Sequence, residues 1–145
     1  MNIVRRELNT PYYAKDVYAL VADIERYPEF LPWCSYAKIL RALDHVVEAS
    51  LTITKGGLSK NFSTRNLMTP YNNIEMYLLE GPFKHFYGLW RFDEHPHGCH
   101  ITLELEFSFD NKLLSMMLEP IFQPIANNLL DAFAKRAEDL CPKKT

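Results

Sequence analysis

Residues 101–109 read Ile101-Thr102-Leu103-Glu104-Leu105-Glu106-Phe107-Ser108-Phe109 and carry the clearest structural signal in the chain. Apolar and polar side chains alternate there at every second position, which is typical of a strand that buries one face. The same period of two predicts neighbouring strands at 47–53, 60–68, 74–80 and 86–92, and a short edge strand at 3–10. Turn signals containing glycine or proline separate most of these segments. The pattern therefore predicts an antiparallel meander with one buried face and one solvated face.

Segments with helical spacing flank the predicted strands. Val17 and Ile24 lie on one face of a first helix, which we expect to stop before Pro28, because proline disfavours helical geometry in the residue ahead of it. A longer apolar stripe near the end of the chain contains Leu118, Ile121, Phe122, Ile125, Leu129, Phe133, Ala137 and Leu140. Pro120 and Pro124 interrupt this stripe and predict a short helix from about residue 113, a bend, and then a longer helix. The predicted fold class is α+β, a curved antiparallel sheet wrapped around a long C-terminal helix.

Bulk properties place the chain in the ordinary globular class. Its 145 residues suit a single domain, 1–145, in which 48% of residues are hydrophobic and 23% are charged. We expect a cytoplasmic protein in a reducing compartment, because the first residues lack an apolar signal region and the three cysteines are scattered. No stretch is apolar enough for a membrane span. The net charge of −2 provides no overall attraction to nucleic acid, and DNA is not expected as a partner.

The interior predicted by these patterns is rich in aromatic and methionine side chains. The inward set comprises Phe62, Met68, Met76, Phe86, Trp90, Phe107, Met116, Met117 and Phe122. Methionine suits a surface that adapts to a flexible apolar ligand, but the same side chains would also fill a solid core. Periodicity does not separate these two alternatives. Phe30 and Trp33 add bulky apolar surface to a loop, which we interpret as a lid, since exposed loops seldom carry such surface unless it covers something.

Five motifs resemble those of one family, in the same order and across nearly the whole chain. They are Tyr27-Pro28-Glu29-Phe30-Leu31-Pro32-Trp33-Cys34, Thr64-Arg65-Asn66, Glu80-Gly81-Pro82-Phe83-Lys84, Gly88-Leu89-Trp90-Arg91-Phe92 and Ala132-Phe133-Ala134-Lys135-Arg136-Ala137. The sequence resembles the branch of the START-like superfamily that contains the mitochondrial coenzyme Q-binding proteins and the bacterial ribosome-association toxin. Tyr13 departs from the family, because relatives tend to have a small helix-capping residue there and tyrosine is a poor cap.

The resemblance implies a helix-grip fold of the START and Bet v 1 type, a hydrophobic cavity and no catalytic residues. It implies that ubiquinone or a similar polyprenyl lipid binds in the cavity, as a ligand rather than a cofactor, in support of respiratory quinone function. Trp33 and Trp90 are the candidates for stacking on a quinone ring, and Ile125 and Leu129 for covering an isoprenoid tail. The predicted lining is Leu31, Trp33, Phe62, Met68, Met76, Phe83, Phe86, Trp90, Phe107, Phe122, Ile125 and Leu129. Peripheral contact with a membrane surface stays open.

The resemblance also implies a ribosomal function, since the bacterial members bind the large ribosomal subunit and block its association with the small one. A candidate basic patch for ribosomal RNA phosphates comprises Lys55, Lys60, Arg65 and Lys84, with scattered surface charge as the alternative. A third reading is a polyketide cyclase-like enzyme, because polyketide cyclases share the fold. The inward face disfavours an enzyme, since it offers almost no titratable side chain.

Cysteine and histidine side chains offer two further candidate sites. His95, His97, Cys99 and His100 superficially resemble a metal cluster, but they lie at a predicted hairpin without the spacing of a metal site, so we favour a solvated turn and expect no metal. Cys34 adjoins an apolar loop, and nothing in the sequence places a base beside it. We therefore expect Cys34 to be a buried, inert thiol.

Overall fold

The computed structural model describes residues 1–145 and contains seven strands and two α-helices. The strands are β1 (Asn2–Thr10), β2 (Cys34–Leu43), β3 (Val46–Lys55), β4 (Leu58–Thr69), β5 (Asn73–Glu80), β6 (Phe83–His95) and β7 (Gly98–Phe109). The helices are α1 (Ala14–Ala22) and α2 (Lys112–Leu140), and a 3₁₀ helix (Ile24–Glu29) follows α1. The predicted α+β class, a sheet with a long C-terminal helix, is confirmed.

All seven strands form one antiparallel sheet in the order β1-β7-β6-β5-β4-β3-β2. The odd-numbered apolar residues of β7 are all buried, as the alternation predicts. Thr102 was expected on the solvated face but is also buried, because the register places it between the longer side chains of Glu7 on β1 and Arg91 on β6. β2 forms the edge opposite β1. Two register shifts against β3 interrupt its alternation, which explains why the sequence predicted no separate strand there.

The segment after α1 keeps helical geometry further than expected. α1 ends at Ala22, before Pro28 as predicted, whereas Ile24, expected on the same helix, begins a separate 3₁₀ helix that includes Pro28. Helical hydrogen bonds continue past Pro28, because the amides of Phe30 and Leu31 both donate to the carbonyl of Tyr27, at 3.2 and 2.9 Å.

α2 is one continuous helix of 29 residues, so the predicted division into a short and a longer helix at Pro120 and Pro124 was wrong. Each proline removes one backbone donor, and the carbonyl four residues earlier belongs to Met116 or Pro120. Both of these residues are exposed, and water can reach the carbonyl groups that lose their donors. The helix begins at a defined cap, where the amide of Leu114 donates to Oδ1 of Asn111 at 2.9 Å.

One stripe of α2 is buried against the sheet and α1. It comprises Leu118, Phe122, Ile125, Ala126, Leu130, Phe133 and Ala137. Met116 and Met117 were expected to face inward, but their exposed fractions are 68% and 45%. They precede Leu118 by two positions and one, which places them about 200° and 100° around the helix from the buried stripe. The interior is therefore less rich in methionine than the sequence predicted.

Glu94 on β6 caps α1 in place of Tyr13, whose side chain makes no capping hydrogen bond. The amide of Ala14 donates to Oε2 of Glu94 at 2.8 Å, and the ammonium group of Lys144 contacts the other carboxylate oxygen. The hydrogen bond from Lys144 is the main cause that lowers the pKa of Glu94 below its ordinary value of 4.5. The amide of Lys144 also donates to the carbonyl of Pro11 at 2.7 Å, so the C-terminal residues are fastened beside α1.

We predict that Glu94→Ala lowers the free energy of unfolding by about 1 kcal/mol at pH 7, the usual loss for a helix cap. The pKa of Glu94 is lower in the folded chain than in the unfolded chain. The stabilisation by the Glu94 carboxylate is therefore complete when the pH is above the pKa in the unfolded chain, about 4.5. It is lost as the pH falls through the lower pKa in the folded chain. Urea unfolding at pH 7 and pH 3 measures the difference, with Asp93→Asn at the exposed neighbouring position as control. A loss as large at pH 3 as at pH 7 would contradict this account.

Gly98 begins β7 with φ +155° and lies directly against the end of β1, where an added Cβ would be 1.7 Å from the carbonyl oxygen of Thr10. We predict that Gly98→Ala lowers the free energy of unfolding by at least about 3 kcal/mol, because backbone rather than a flexible side chain must move. Gly57→Ala is the matched control: with φ +81° and no atom within 4 Å of the added Cβ, it should cost about 1 kcal/mol. Thermal unfolding compares the two variants, and equal losses would refute the steric explanation.

Candidate functional site

A cavity lies between α2 and the inner face of the sheet. Its volume is about 90 Å³, and 18 of its 20 lining residues are hydrophobic. Strands β3 to β7 and the segment between α1 and β2 form the rest of the wall. The helix side consists of Phe122, Ile125, Ala126, Leu129 and Phe133. The interior is therefore partly hollow, which the alternation of the sequence did not decide, and the space is large enough for several water molecules.

The position of α2 explains why this space exists. The helix packs most closely against β1, β7 and α1, on one side of the curved sheet. The inner faces of β3, β4 and β5 lie beyond this contact, and the side chains of α2 do not fill the whole distance to them. Two small lining residues, Ala49 on β3 and Ala126 on α2, widen the gap. The walls are thus held apart by the packing of the main elements.

Ten of the twelve residues predicted to line a cavity do so: Trp33, Phe62, Met76, Phe83, Phe86, Trp90, Phe107, Phe122, Ile125 and Leu129. Leu31 and Met68 do not, which corrects the prediction. Leu31 follows the 3₁₀ helix and is 1% exposed within the solid part of the core. Met68 lies near the far end of β4, opposite Ile74 and next to the β4–β5 turn. Contact of the ten residues with a ligand stays a prediction.

The other ten lining residues were not predicted from the sequence: Ile24, Tyr27, Ala49, Leu51, Ile53, Thr64, Asn66, Leu105, Ala126 and Phe133. Alternation was the signal that could have found several of them. Thr64 and Asn66 lie two and four residues beyond Phe62 on β4, so a period of two places all three on one face. Their polarity argued against an inward position, yet they are only 7% and 5% exposed.

The segment at 27–33, called the lid segment below, covers one side of the cavity. Tyr27 and Trp33 line the cavity from this segment. The ring centroids of Tyr27 and Phe30 lie 5.3 and 5.1 Å from that of Phe133 on α2, in edge-to-face contacts. The lid expected from the sequence is thus a segment that packs directly on the long helix.

Arg136 on α2 holds the lid segment from the solvent side. Its guanidinium carbon lies 4.9 Å from the centroid of the Phe30 ring, and Nη2 donates to Oε1 of Glu29 at 2.7 Å. The Glu29 side chain is 48% exposed, so this ion pair by itself contributes little to stability. Its effect is to orient the 3₁₀ helix against α2.

The cavity lining contains few side chains that could donate or accept a proton in catalysis. Tyr27 is the one titratable residue among those that line it. Its hydroxyl donates to the carbonyl of Val21, and burial raises the pKa of the phenol well above its ordinary value of 10. Further polar groups come from Thr64 and Asn66, joined by a hydrogen bond from Oγ1 of Thr64 to Oδ1 of Asn66 at 2.8 Å. Such a lining suits the binding of an apolar molecule better than general acid–base catalysis.

The cysteine and histidine side chains considered from the sequence lie outside the cavity. Cys34 is 3% exposed, and burial raises the pKa of its thiol, which favours the unreactive protonated form. Cys99 is fully buried, whereas Nδ1 of His100 lies 2.7 Å from Oδ1 of Asn9 and Nε2 lies 3.0 Å from Oε1 of Glu7. No three histidine, cysteine or acidic side chains are grouped so that they could hold a metal ion.

The four basic residues considered as one patch occupy two places. Lys55 and Lys60 flank the β3–β4 turn, and Lys84 lies near the start of β6 at the same end of the sheet. These three form no salt bridge. Arg65 lies further along β4, where its Nε donates to Oε2 of Glu48 at 2.9 Å. The candidate patch is therefore reduced to the three lysines, because the charge of Arg65 is already paired.

The sequence of this chain is similar to a known family and to individual proteins. The family model described as polyketide cyclase / dehydrase and lipid transport matches residues 10–134. The ribosome association toxin RatA of Pseudomonas aeruginosa is 42% identical over 138 residues, which are 94% of this chain and 96% of that protein. The mitochondrial coenzyme Q-binding protein COQ10 homolog B of Xenopus laevis is 25% identical over 128 residues, which are 85% of this chain and 52% of that protein.

A solved structure agrees with the predicted helix-grip fold. The Zhui aromatase/cyclase from Streptomyces sp. R1128 has a TM-score of 0.83 at 19% identity, over 94% of this chain and 93% of that one. At this identity the likeness shows the fold alone. In the present chain, no helix is both long and apolar enough to cross a membrane. From the family model and the 42% identity, the chain belongs to the polyketide cyclase / dehydrase and lipid transport family, in the branch that includes the ribosome association toxin RatA.

Proposed function

We propose that this chain binds the large ribosomal subunit and blocks its association with the small subunit. The main support is the 42% identity to a ribosome association toxin over nearly the full length of both chains. About 58 identical positions among 138 exceed the 37 buried residues of this chain, so the likeness includes surface positions and not only the core. A ribosomal partner also agrees with the cytoplasmic location expected from the sequence.

Lys55, Lys60 and Lys84 provide a surface suited to ribosomal RNA. Lysines that contact phosphates release bound counterions, which gives an affinity that falls steeply as the salt concentration rises. The net charge of the chain is −2, so any attraction to RNA must be local. Because these three lysines carry no intramolecular ion pair, no such pair has to break before they meet phosphates.

We predict that the double substitution Lys55→Glu and Lys60→Glu weakens binding to the large subunit. The slope of log affinity against log salt should also fall by about 2, one for each lost phosphate contact. Sucrose-gradient sedimentation of ribosomal subunits with the purified protein, at several salt concentrations, measures both quantities.

The matched control is Lys135→Glu with Lys143→Glu, two exposed lysines away from the β3–β4 turn. An equal loss in this control would refute the role of the β3–β4 lysines. A parent protein that stays at the top of the gradient and leaves the subunit profile unchanged would overturn the ribosomal function.

The cavity supports a second function, the binding of ubiquinone or a similar polyprenyl lipid. The specific observation is an apolar, partly hollow interior that contains both tryptophans of the chain. Trp33 and Trp90 suit a quinone ring, while Ile125 and Leu129 suit an isoprenoid tail. The 25% identity to a coenzyme Q-binding protein agrees with this ligand class. The two functions are compatible, since one uses surface lysines and the other uses the interior.

A prenyl lipid requires this cavity to enlarge. Its volume of about 90 Å³ is well below the roughly 300–1,000 Å³ of pockets that bury drug-sized ligands. Two features allow enlargement. The lid segment is joined to α2 by the exposed ion pair between Glu29 and Arg136, and the flexible side chains of Met76 and Leu129 lie in the wall. We therefore expect the lid segment to move when the ligand enters.

A non-enzymatic role agrees better with the cavity than catalysis does. The names of the two sequence relatives described above denote a toxin and a binding protein, whereas the structural neighbour is an aromatase/cyclase. A cyclase usually needs an acid or base near its substrate, and Tyr27, with its raised pKa, is the one titratable residue in the lining. The polyketide cyclase-like alternative is therefore not proposed.

We predict that Ala126→Leu reduces ubiquinone binding at least tenfold. Ala126 lines the cavity and is 4% exposed, so the three added carbons enter the space that the ligand needs. Ala134→Leu, on the same helix and outside the cavity, is the control and should bind as the parent does. Titration with ubiquinone measures the affinity, and organic extraction followed by mass spectrometry identifies any lipid that the purified parent carries.

Ribosome sedimentation should be the same for Ala126→Leu and the parent, because the substitution lies inside the protein. A parent that carries no prenyl lipid and does not bind added ubiquinone would overturn the lipid-binding function and leave the ribosomal one standing.

A further inference from the structure

Thr64 and Asn66 form a polar spot in a wall that is otherwise hydrophobic. Both lie on β4, are 7% and 5% exposed, and are the only two lining residues outside the hydrophobic class. A buried amide N–H group without an acceptor costs free energy, because it has lost its hydrogen bonds to water and makes none within the protein. An apolar core of the same shape would not contain one, so this pair points to a function.

The hydrogen bond between the two residues has a direction. Oγ1 of Thr64 donates to Oδ1 of Asn66 at 2.8 Å, so the oxygen of the amide is occupied. The amide nitrogen, Nδ2, then presents its two N–H groups away from Thr64. It makes no hydrogen bond within the protein, and it is not among the sealed side-chain atoms that lack a partner. Nδ2 is therefore a free double donor that is accessible from the cavity.

The surroundings of Asn66 offer no acceptor side chain. On the neighbouring strands, Val47 and Met76 are its register partners, and Ala49 and Leu78 are those of Thr64. These side chains are apolar, and Ala49 and Met76 also line the cavity. Since no acceptor within the protein is bound to Nδ2, a molecule inside the cavity, either water or a ligand, is left to supply one.

We propose that Asn66, oriented by Thr64, donates hydrogen bonds to a carbonyl-type oxygen of the ligand, so that the cavity selects apolar molecules with such an oxygen over plain hydrocarbons. This inference rests on the lipid-binding function proposed above and specifies its ligand class. Asn66 is the specificity-determining residue and Thr64 is a positioning residue. A prenylated quinone meets the requirement, because its ring carries carbonyl oxygens and its tail is apolar.

Decylubiquinone and decylbenzene form a suitable pair of probes, since they share an alkyl chain and differ in the ring oxygens. The chain has two tryptophans, Trp33 and Trp90, and both line the cavity, so tryptophan emission reports binding directly. The parent should bind decylubiquinone more tightly than decylbenzene. Asn66→Leu should lower the affinity for decylubiquinone about tenfold and leave that for decylbenzene unchanged.

Two further variants test the role of Thr64 in orienting the Asn66 amide and provide a control for the leucine substitution. Thr64→Val should lower the affinity for decylubiquinone about threefold, because the amide is retained but no longer oriented. Asn61→Leu makes the same substitution at an exposed position of β4 outside the cavity and should leave both affinities unchanged.

Thermal unfolding distinguishes this proposal from a structural role. If the pair served only to hold β4, Asn66→Leu would lower the melting temperature, whereas removal of an unpartnered buried donor should leave it unchanged or raise it. A variant Asn66→Leu that binds decylubiquinone as tightly as the parent, or a parent that does not prefer decylubiquinone to decylbenzene, would overturn this inference alone. A parent that binds neither probe would overturn the lipid-binding function together with it.

Discussion

The packing of α2 against one side of the curved sheet is the constraint on which the rest of this structure depends. The helix contacts β1, β7 and α1 closely, and its buried stripe is set by that contact. Once these backbones are in place, the side chains of α2 do not reach across to all of β3, β4 and β5. A space therefore remains in an interior that contains many large aromatic residues.

The position of α2 also brings the cavity wall into contact with the lid segment. The ring of Phe133 on α2 lies 5.1 Å from that of Trp90 in the sheet, and it also contacts Tyr27 and Phe30 of the lid segment. One side chain thus touches the wall and the lid together. These are contacts between side chains and involve none of the hydrogen bonds of the sheet. The lid segment is tied to β3 at its end, where the amide of Thr54 donates to the carbonyl of Trp33 at 2.8 Å, so we expect residues 27–32 to shift when the cavity enlarges.

The two proposed functions use separate parts of this chain, one its surface and the other its interior. The unpaired lysines around the β3–β4 turn are suited to phosphates, while the cavity is suited to an apolar molecule with a hydrogen-bond acceptor. The same fold also occurs in an aromatase/cyclase, so the fold alone does not select among these activities. The side chains that line the space make the difference. Here they include a neutral amide and a hydroxyl but no carboxylate, histidine or lysine.

The alternation at 101–109 and in the neighbouring segments, the turn signals and the helical stripes determined six of the seven strands, most turns and the long helix from the sequence alone, because burial of one face is a local and periodic property. Ten of the twenty lining residues were predicted from the same periodicity and the family motifs. Periodicity also places Met116 and Met117 off the buried stripe of α2 and Asn66 on the inner face of β4, although their residue types argued against these positions. The tertiary structure alone decided the continuity of α2 through Pro120 and Pro124. It also decided that the interior is partly hollow. These features depend on distances and angles between elements far apart in the chain, and periodicity within one element carries no information about them.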